Sequence, residues 1–192
     1  MKKGKFIVIS GPSGVGKGTI CNKLLNELNA WYSVSTTTRS PREGEIDGVN
    51  YFFITKEEFL KKIEDGEFLE YNYYNDNYYG TSKKIVLEKM EEGINVFSEI
   101  DVNGARNIKK IFPDALLIYI APPSMEELKN RLIGRDTDPI DVINQRLAIA
   151  REEMKQVGFY DYVVVNDDLE KATNEVREII MKEVWRWIKV MI

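Results

Sequence analysis

Three groups of side chains in this sequence have the types and spacing that chemistry on phosphate requires. The first is Gly11-Pro12-Ser13-Gly14-Val15-Gly16-Lys17, set between the apolar run at residues 6–9 and a helix-forming stretch at residues 20–28. The glycines let consecutive backbone N–H groups turn inward, the following helix adds its positive end, and the lysine reaches the outer phosphates. The pattern reads as a nucleotide-phosphate cradle. After Lys17 stands Gly18, with Thr19 one step later. A glycine offers no oxygen to Mg2+, so the metal is expected to be held by nucleotide phosphates and water.

The second group is Arg39 and Arg42, on a loop stiffened by Pro41. Guanidinium forks match phosphate oxygens in bidentate fashion, which suits a phosphomonoester. Alone, such a pair is as readily a solvated surface, but the hydroxyls of Ser35, Tyr51 and Tyr79 can donate to the same anion. The third group is Arg131, Arg135 and Arg146, on a helix–loop–helix that reads as a lid placing positive charge on a transferring phosphoryl group. Each of these arginines taken singly reads as surface.

Carboxylates complete the set. Glu99 and Asp101 flank Ile100 at the end of a predicted core strand and are expected on one side, organising magnesium through its water shell. The lesser alternative for Asp101 is an acidic residue favoured by a helix N-terminus. Glu70, on a predicted strand, has the acceptors to take two hydrogen bonds from a guanine edge, which adenine does not offer.

The elements that must position these groups follow from apolar patterning. Residues 6–9, 94–97, 115–120 and 162–165 read as buried parallel strands, and residues 102–112, 125–133, 140–156 and 169–190 as helices between or after them. Such alternation implies an α/β fold with right-handed crossovers and a ligand site beyond the C-terminal strand ends. Residues 35–90 differ, being dense in aromatics and Thr with turn signals at Asp47-Gly48 and Asp65-Gly66. They predict a mostly antiparallel insert with helices near 56–64 and 82–91, in which Glu70 and Asn72 share a face. Asp138-Pro139 is a helix start, with Asp138 as N-cap. The last helix sets Leu169, Ala172, Val176, Ile179, Ile180 and Val184 on one docking face, and its end from Trp185 onward is apolar enough to be core or interface.

Composition narrows the class. A chain of 192 residues, 43% hydrophobic, bounds one domain with inserted subdomains. A net charge of −4 argues against a general nucleic-acid binder. With no histidine and only Cys21, a His triad, a His-ligated metal and an internal disulfide are excluded. Cys21 is expected to be a buried, inert thiol. No stretch reads as a leader or a membrane span, so a cytoplasmic protein without a membrane partner is expected.

The motifs in order, Ser10 to Lys17, Ser35-Thr36-Thr37-Thr38-Arg39-Ser40-Pro41-Arg42, Gly48 to Phe53, Asn77-Tyr78-Tyr79-Gly80, Glu99 to Ala105 and Val165-Asn166-Asp167-Asp168-Leu169, strongly resemble guanylate kinase across nearly the whole chain. The resemblance implies a P-loop CORE (residues 1–34, 91–133 and 146–192), a GMP-binding insert (35–90) and a LID (134–145), moving the γ-phosphoryl of ATP onto GMP. It implies that Ser35, Arg39, Arg42, Tyr51 and Tyr79 hold the GMP phosphate, and that Glu70, Thr81 and Asp101 read guanine. Lys17 and the loop from Gly11 to Thr19 would hold ATP, with Asn166 at its adenine and Arg131, Arg135 and Arg146 on the transition state. Departures are Gly18 for a common Ser, Thr81 for Ser, Asn103 for Gln, and Asp136 for Gly in the lid. A phosphopeptide-binding module of the same fold would have a degraded phosphate loop, and this one is whole. A kinase of sugar phosphates or of AMP has no use for the guanine-reading set.

Overall fold

The computed structural model describes residues 3–25, 27–28, 30–74, 76–134 and 139–190, the side chains of 185–190 excepted. Its centre is β1, Phe6–Ser10, buried along its whole length. It pairs in parallel with β7, Asn95–Glu99, on one side and β8, Leu116–Ala121, on the other. With β2 (Ala30–Tyr32) and β9 (Tyr162–Val165) the sheet has five strands, in the order β2-β7-β1-β8-β9.

A continuous apolar strand still obeys the period of two, and here each parity serves a different core. Ile7 and Ile9 point to a cluster shared with Ile118 and Ile120. That cluster is closed by helices α1 (Lys17–Leu25), α5 (Met125–Ile133), α6 (Ile140–Met154) and α7 (Leu169–Val190). Phe6 and Val8 point to the opposite cluster, with Leu117 and Tyr119, under α3 (Lys83–Glu91) and α4 (Val102–Ile111). The α7 face is as expected, with Ala172, Val176 and Ile180 at most 1% exposed. The apolar end of that helix carries side chains outside the described residues.

A second sheet, in the order β4-β3-β6-β5, is built from Phe52–Phe53, Thr36–Thr37, Asn77–Ser82 and Phe68–Tyr74. Its β3·β6 and β5·β6 pairs are antiparallel, as expected, but β3 and β4 run parallel. The stretch between them, residues 38–51, is long enough to return the chain to its starting end, which a tight hairpin cannot do. Helix α2 (Lys56–Glu64) opens on a capping box between Thr55 and Glu58. Its Phe59 stacks on Phe68 at 4.5 Å and on Tyr78 at 5.3 Å between ring centroids.

Three expectations shift. The first helix starts at Lys17 rather than 20 and ends at Leu25, because the phosphate loop passes straight into helical backbone. Strand β2 was not expected: three half-buried residues at a sheet edge carry no readable period. Helix α6 begins at Ile140 with Pro139 as N-cap, one residue later than the sequence suggests, and Asp138 lies outside the described residues. No helix among the described residues is long and apolar enough to cross a membrane.

Candidate active site

The loop leaving β1 wraps the start of α1. Gly11, Gly14 and Gly16 all have positive φ, of 144°, 92° and 98°, a backbone region that side chains with a Cβ rarely enter. At Gly16 a Cβ would also stand 2.6 Å from Asn166 Nδ2. That amide donates to the Val15 carbonyl at 2.7 Å, and the Arg131 guanidinium donates to the Asn166 carbonyl at 3.0 Å while its Nε holds Glu127 at 2.9 Å. Asn166 and Arg131 thus brace the loop from outside, and neither forms part of the cleft wall. Lys17 Nζ donates to the Gly11 and Pro12 carbonyls at 2.7 and 3.1 Å, which holds the ammonium across the loop.

Facing the loop is a cleft of about 570 Å³ whose walls come from both sheets and from α6, a volume suited to small-molecule ligands. Arg146, on α6, reaches across it to donate to Ser13 Oγ at 2.7 Å. Val142, Arg146, Ile149 and Glu153 form one stripe of that helix along the cleft, at three- and four-residue spacing. Ser35, Arg39, Arg42, Tyr51 and Tyr79 also line the cleft. Arg135 lies outside the described residues.

The arginine pair has an organiser that the sequence did not single out. Glu45 accepts from Arg39 at 2.8 Å with one oxygen and from the Arg42 backbone N–H at 2.7 Å with the other. Burial pushes the Glu45 carboxyl up, but those two hydrogen bonds and the adjacent positive charges outweigh it and hold the group below its usual range. The Arg39 guanidinium also lies 5.4 Å from the Tyr51 ring centroid, and Tyr51 meets Tyr79 edge-on at 6.0 Å. Arg39 is therefore fixed before any anion arrives. The available signal was local: Glu45 sits three residues beyond Arg42, within the span of one turn.

Glu70, which also lines the cleft, is only 6% exposed. Its Oε1 accepts from Thr81 Oγ1 at 2.6 Å across the β5·β6 pair. Thr81 itself is completely buried and is not part of the cleft wall. Burial raises the Glu70 carboxyl to about 7, the Thr81 hydrogen bond opposing the rise and the Asp101 charge adding to it. Asp101 is the N-cap of α4, its Oδ1 accepting from the Gly104 N–H at 2.9 Å. Asn72, one inward position beyond Glu70, donates to Asp101 Oδ2 at 2.7 Å. The alternation Glu70–Tyr73 is as read from sequence, with Tyr71 and Tyr73 outward at 45% and 52% exposure.

Glu99 ends β7 and accepts from Tyr32 Oη at 3.1 Å. A Cβ at Gly18 would stand 3.5 Å from Glu99 Oε1, so this carboxylate faces the first turn of α1. Burial, and then the Glu99 charge, drive the Cys21 thiol well above its ordinary value, which agrees with the inert thiol expected there. Among the described residues no group of three or more His, Cys, Asp or Glu could hold a metal. Glu99, a carboxylate facing the first turn of α1, fits a magnesium ion that would arrive with nucleotide phosphates and keep most of its water.

A phosphate loop and the Arg39 and Arg42 pair lining one cleft, with Arg146 at the loop, form an arrangement suited to moving a phosphoryl group between two phosphorylated molecules. The class is a P-loop kinase with a phosphorylated acceptor. A family profile described as guanylate kinase matches residues 3–183. The chain is 50% identical over 184 residues to the guanylate kinase of Clostridioides difficile (strain 630), covering 95% of this chain and 90% of that one. It is 47% identical over 192 residues to the guanylate kinase of Enterococcus faecalis (strain ATCC 700802 / V583), covering 99% and 94%. The crystal structure of guanylate kinase from Anaplasma phagocytophilum matches with a TM-score of 0.80 at 34% identity, covering 95% of this chain and 87% of that one. This chain belongs to the guanylate kinase family.

Proposed function

We infer that this chain transfers the γ-phosphoryl group of ATP to the phosphate of GMP, giving ADP and GDP. The observation that carries the choice of GMP is the buried Glu70–Thr81 pair, whose Glu70 lines the cleft together with Asp101. The ionised Glu70 carboxylate accepts from guanine N1–H and the 2-amino group. Adenine offers no such donor pair and would leave its oxygens unpaired. dGMP, which presents the same base and the same phosphate, is expected as a second acceptor.

Lys17 and the loop amides from Gly11 to Thr19 hold the donor phosphates, and Ser35, Arg39, Arg42, Tyr51 and Tyr79 hold the acceptor phosphate. An acceptor phosphate oxygen is already anionic, so attack on the γ-phosphorus needs no general base, and the lack of histidine is no obstacle. As the new P–O bond forms, the bond from γ-phosphorus to the β,γ-bridging oxygen breaks and ADP leaves with that electron pair. Arg146 stands at the loop where charge spreads during this exchange, and Arg131 supports the same loop through Asn166. Glu99, which faces the first turn of α1, and Asp101, at the N-cap of α4, would meet the water shell of a magnesium ion bound with ATP, which would offset the phosphate charge. Residues 35–90 act as the GMP-binding insert and residues 134–145 as the lid, the remainder forming the CORE. The reaction is proposed to run in the cytoplasm, where both nucleotides are available.

The deciding experiment measures ADP formation with ATP and magnesium against GMP, dGMP, AMP, CMP, UMP and ribose 1,5-bisphosphate. Turnover confined to GMP and dGMP is expected. Turnover of another acceptor in place of GMP overturns the base-reading argument.

A further inference from the structure

Where Glu70 and Asp101 line the cleft, a hydrogen bond joins the insert sheet to the start of α4, and the α4 cap does not need it. Asp101 already accepts from the Gly104 N–H, which is the whole of an N-cap's task. Its second oxygen is taken by Asn72 Nδ2 at 2.7 Å, from β5 of the other sheet. Asparagine is a poor strand former, and β5 is the edge of its sheet and otherwise aromatic here. Neither strand propensity nor helix capping accounts for it. Asn72 shares the inward face with Glu70 and lines the main cleft, as well as an adjoining cavity of about 410 Å³ that Asp101 also borders.

A carboxylate held by one donor can still rotate, whereas one held at both oxygens has its plane and remaining lone pairs fixed. Glu70 is held at Oε1 by Thr81, and its Oε2 side lies against α4, where a Cβ on Gly104 would come within 2.7 Å. The two carboxylates therefore present acceptors of set direction, one anchored within the insert sheet and one anchored across to it.

We propose that Asn72 is a positioning residue for guanine recognition: by pinning Asp101 it aims that carboxylate at the purine 2-amino group, and so sets preference for GMP over IMP, which lacks that group. This rests on the GMP-kinase reading above.

The test compares kcat/KM for GMP and IMP at saturating ATP in the parent, Asn72→Ala and Asn72→Asp, with IMP also measured as a competitive inhibitor. Asn72→Ala should raise KM for GMP about tenfold, the loss of one charge-assisted hydrogen bond. The IMP constants should stay within about twofold and kcat should hold, so that GMP/IMP preference falls about tenfold. Asn72→Asp keeps the shape but sets a like charge against Asp101, and it should lower the same ratio while preserving fold by circular dichroism. Equal loss for GMP and IMP, or an unchanged ratio in both variants, overturns the proposal and leaves Asn72 a structural tie. Failure of the parent to phosphorylate GMP overturns the GMP-kinase reading as well, and is distinguished by appearing without any substitution.

Discussion

Glu70 combines two demands that pull its proton in opposite directions. Burial raises its carboxyl to about 7, yet reading guanine requires the ionised form, which only accepts hydrogen bonds. In the free enzyme kcat/KM for GMP should therefore fall as pH drops below 7, with an apparent pKa near that value. Glu70→Gln should remove this limb and leave only the titration of the GMP phosphate, with a pKa near 6. The same variant should lose about 1–3 kcal/mol of preference for GMP over AMP. Parallel pH profiles in parent and variant would sink the assignment. Across the cleft, Arg146 meets the loop at Ser13, and Arg146→Ala should lower kcat by about 10³–10⁵-fold, the range for a transition-state arginine. Lys17→Ala should likewise cost orders of magnitude in turnover, while Arg131→Ala, acting through Asn166, should cost far less. Stopped-flow single turnover separates these effects from product release. Lys17 was legible because it closes a fixed motif, whereas the arginines and Glu70, ambiguous singly, became legible only through their place in an ordered set of motifs. Glu45 and Asn72 were not, because a carboxylate on a polar loop and an amide in a tyrosine-rich strand obey no spacing rule. Only the period of two along β5 placed Asn72 on the face of Glu70.

At the scale of elements, the site depends on how closely α4 approaches β5. Gly104, at the third position of that helix, carries the N–H that Asp101 accepts, and a Cβ there would meet Glu70 Oε2 at 2.7 Å and Cδ at 3.2 Å. Gly104→Ala sets two effects against each other. Helix propensity favours alanine by about 1 kcal/mol. Against it stands a contact with a carboxylate that Thr81 holds in place, which must move by several tenths of an ångström. Because the gain is in stability and the loss is in geometry, the expected outcome is a Tm within a few degrees of the parent, with KM for GMP raised about tenfold or more and KM for ATP unchanged. Steady-state kinetics with each substrate varied in turn checks it, and equal changes in both KM values would contradict it. The elements themselves were unevenly legible. Strand β1 stood out because all five residues are apolar or small and buried. Strand β2 did not, because Ala30-Trp31-Tyr32 shows too few residues for alternation. The direction of the β3·β4 pair, which is parallel, was not legible, because a return loop leaves no mark in strand composition.

For the whole molecule, a cleft between two sheets and a helix is possible only if some charged groups are taken out of water without full pairing. Glu153 is such a group. It lies on the cleft face of α6, and burial raises its carboxyl to about 7, Lys17 opposing the rise and Asp101 adding to it. A carboxyl raised from 4.5 when unfolded to about 7 when folded binds its proton more tightly in the native state. Stability is therefore greatest below pH 4.5 as far as this group is concerned. It falls as pH climbs through the interval to 7 and is level above. From pH 5 to pH 8 the loss is on the order of 2 kcal/mol, which for a domain of this size is roughly 4–8 °C in Tm. Glu153→Gln keeps the shape and removes the titration. Any fixed cost of burying the amide is the same at both pH values, so the informative quantity is a difference of differences. Variant minus parent Tm, measured by calorimetry without nucleotide, should be more positive at pH 8 than at pH 5 by about that interval. Glu70→Gln should behave in the same way, since its carboxyl is raised to a similar value. A variant-minus-parent Tm that stays constant with pH would mean that Glu153 is solvated and that α6 stands further from Lys17. The arm carrying Arg146 would then have to travel before the phosphate loop is closed.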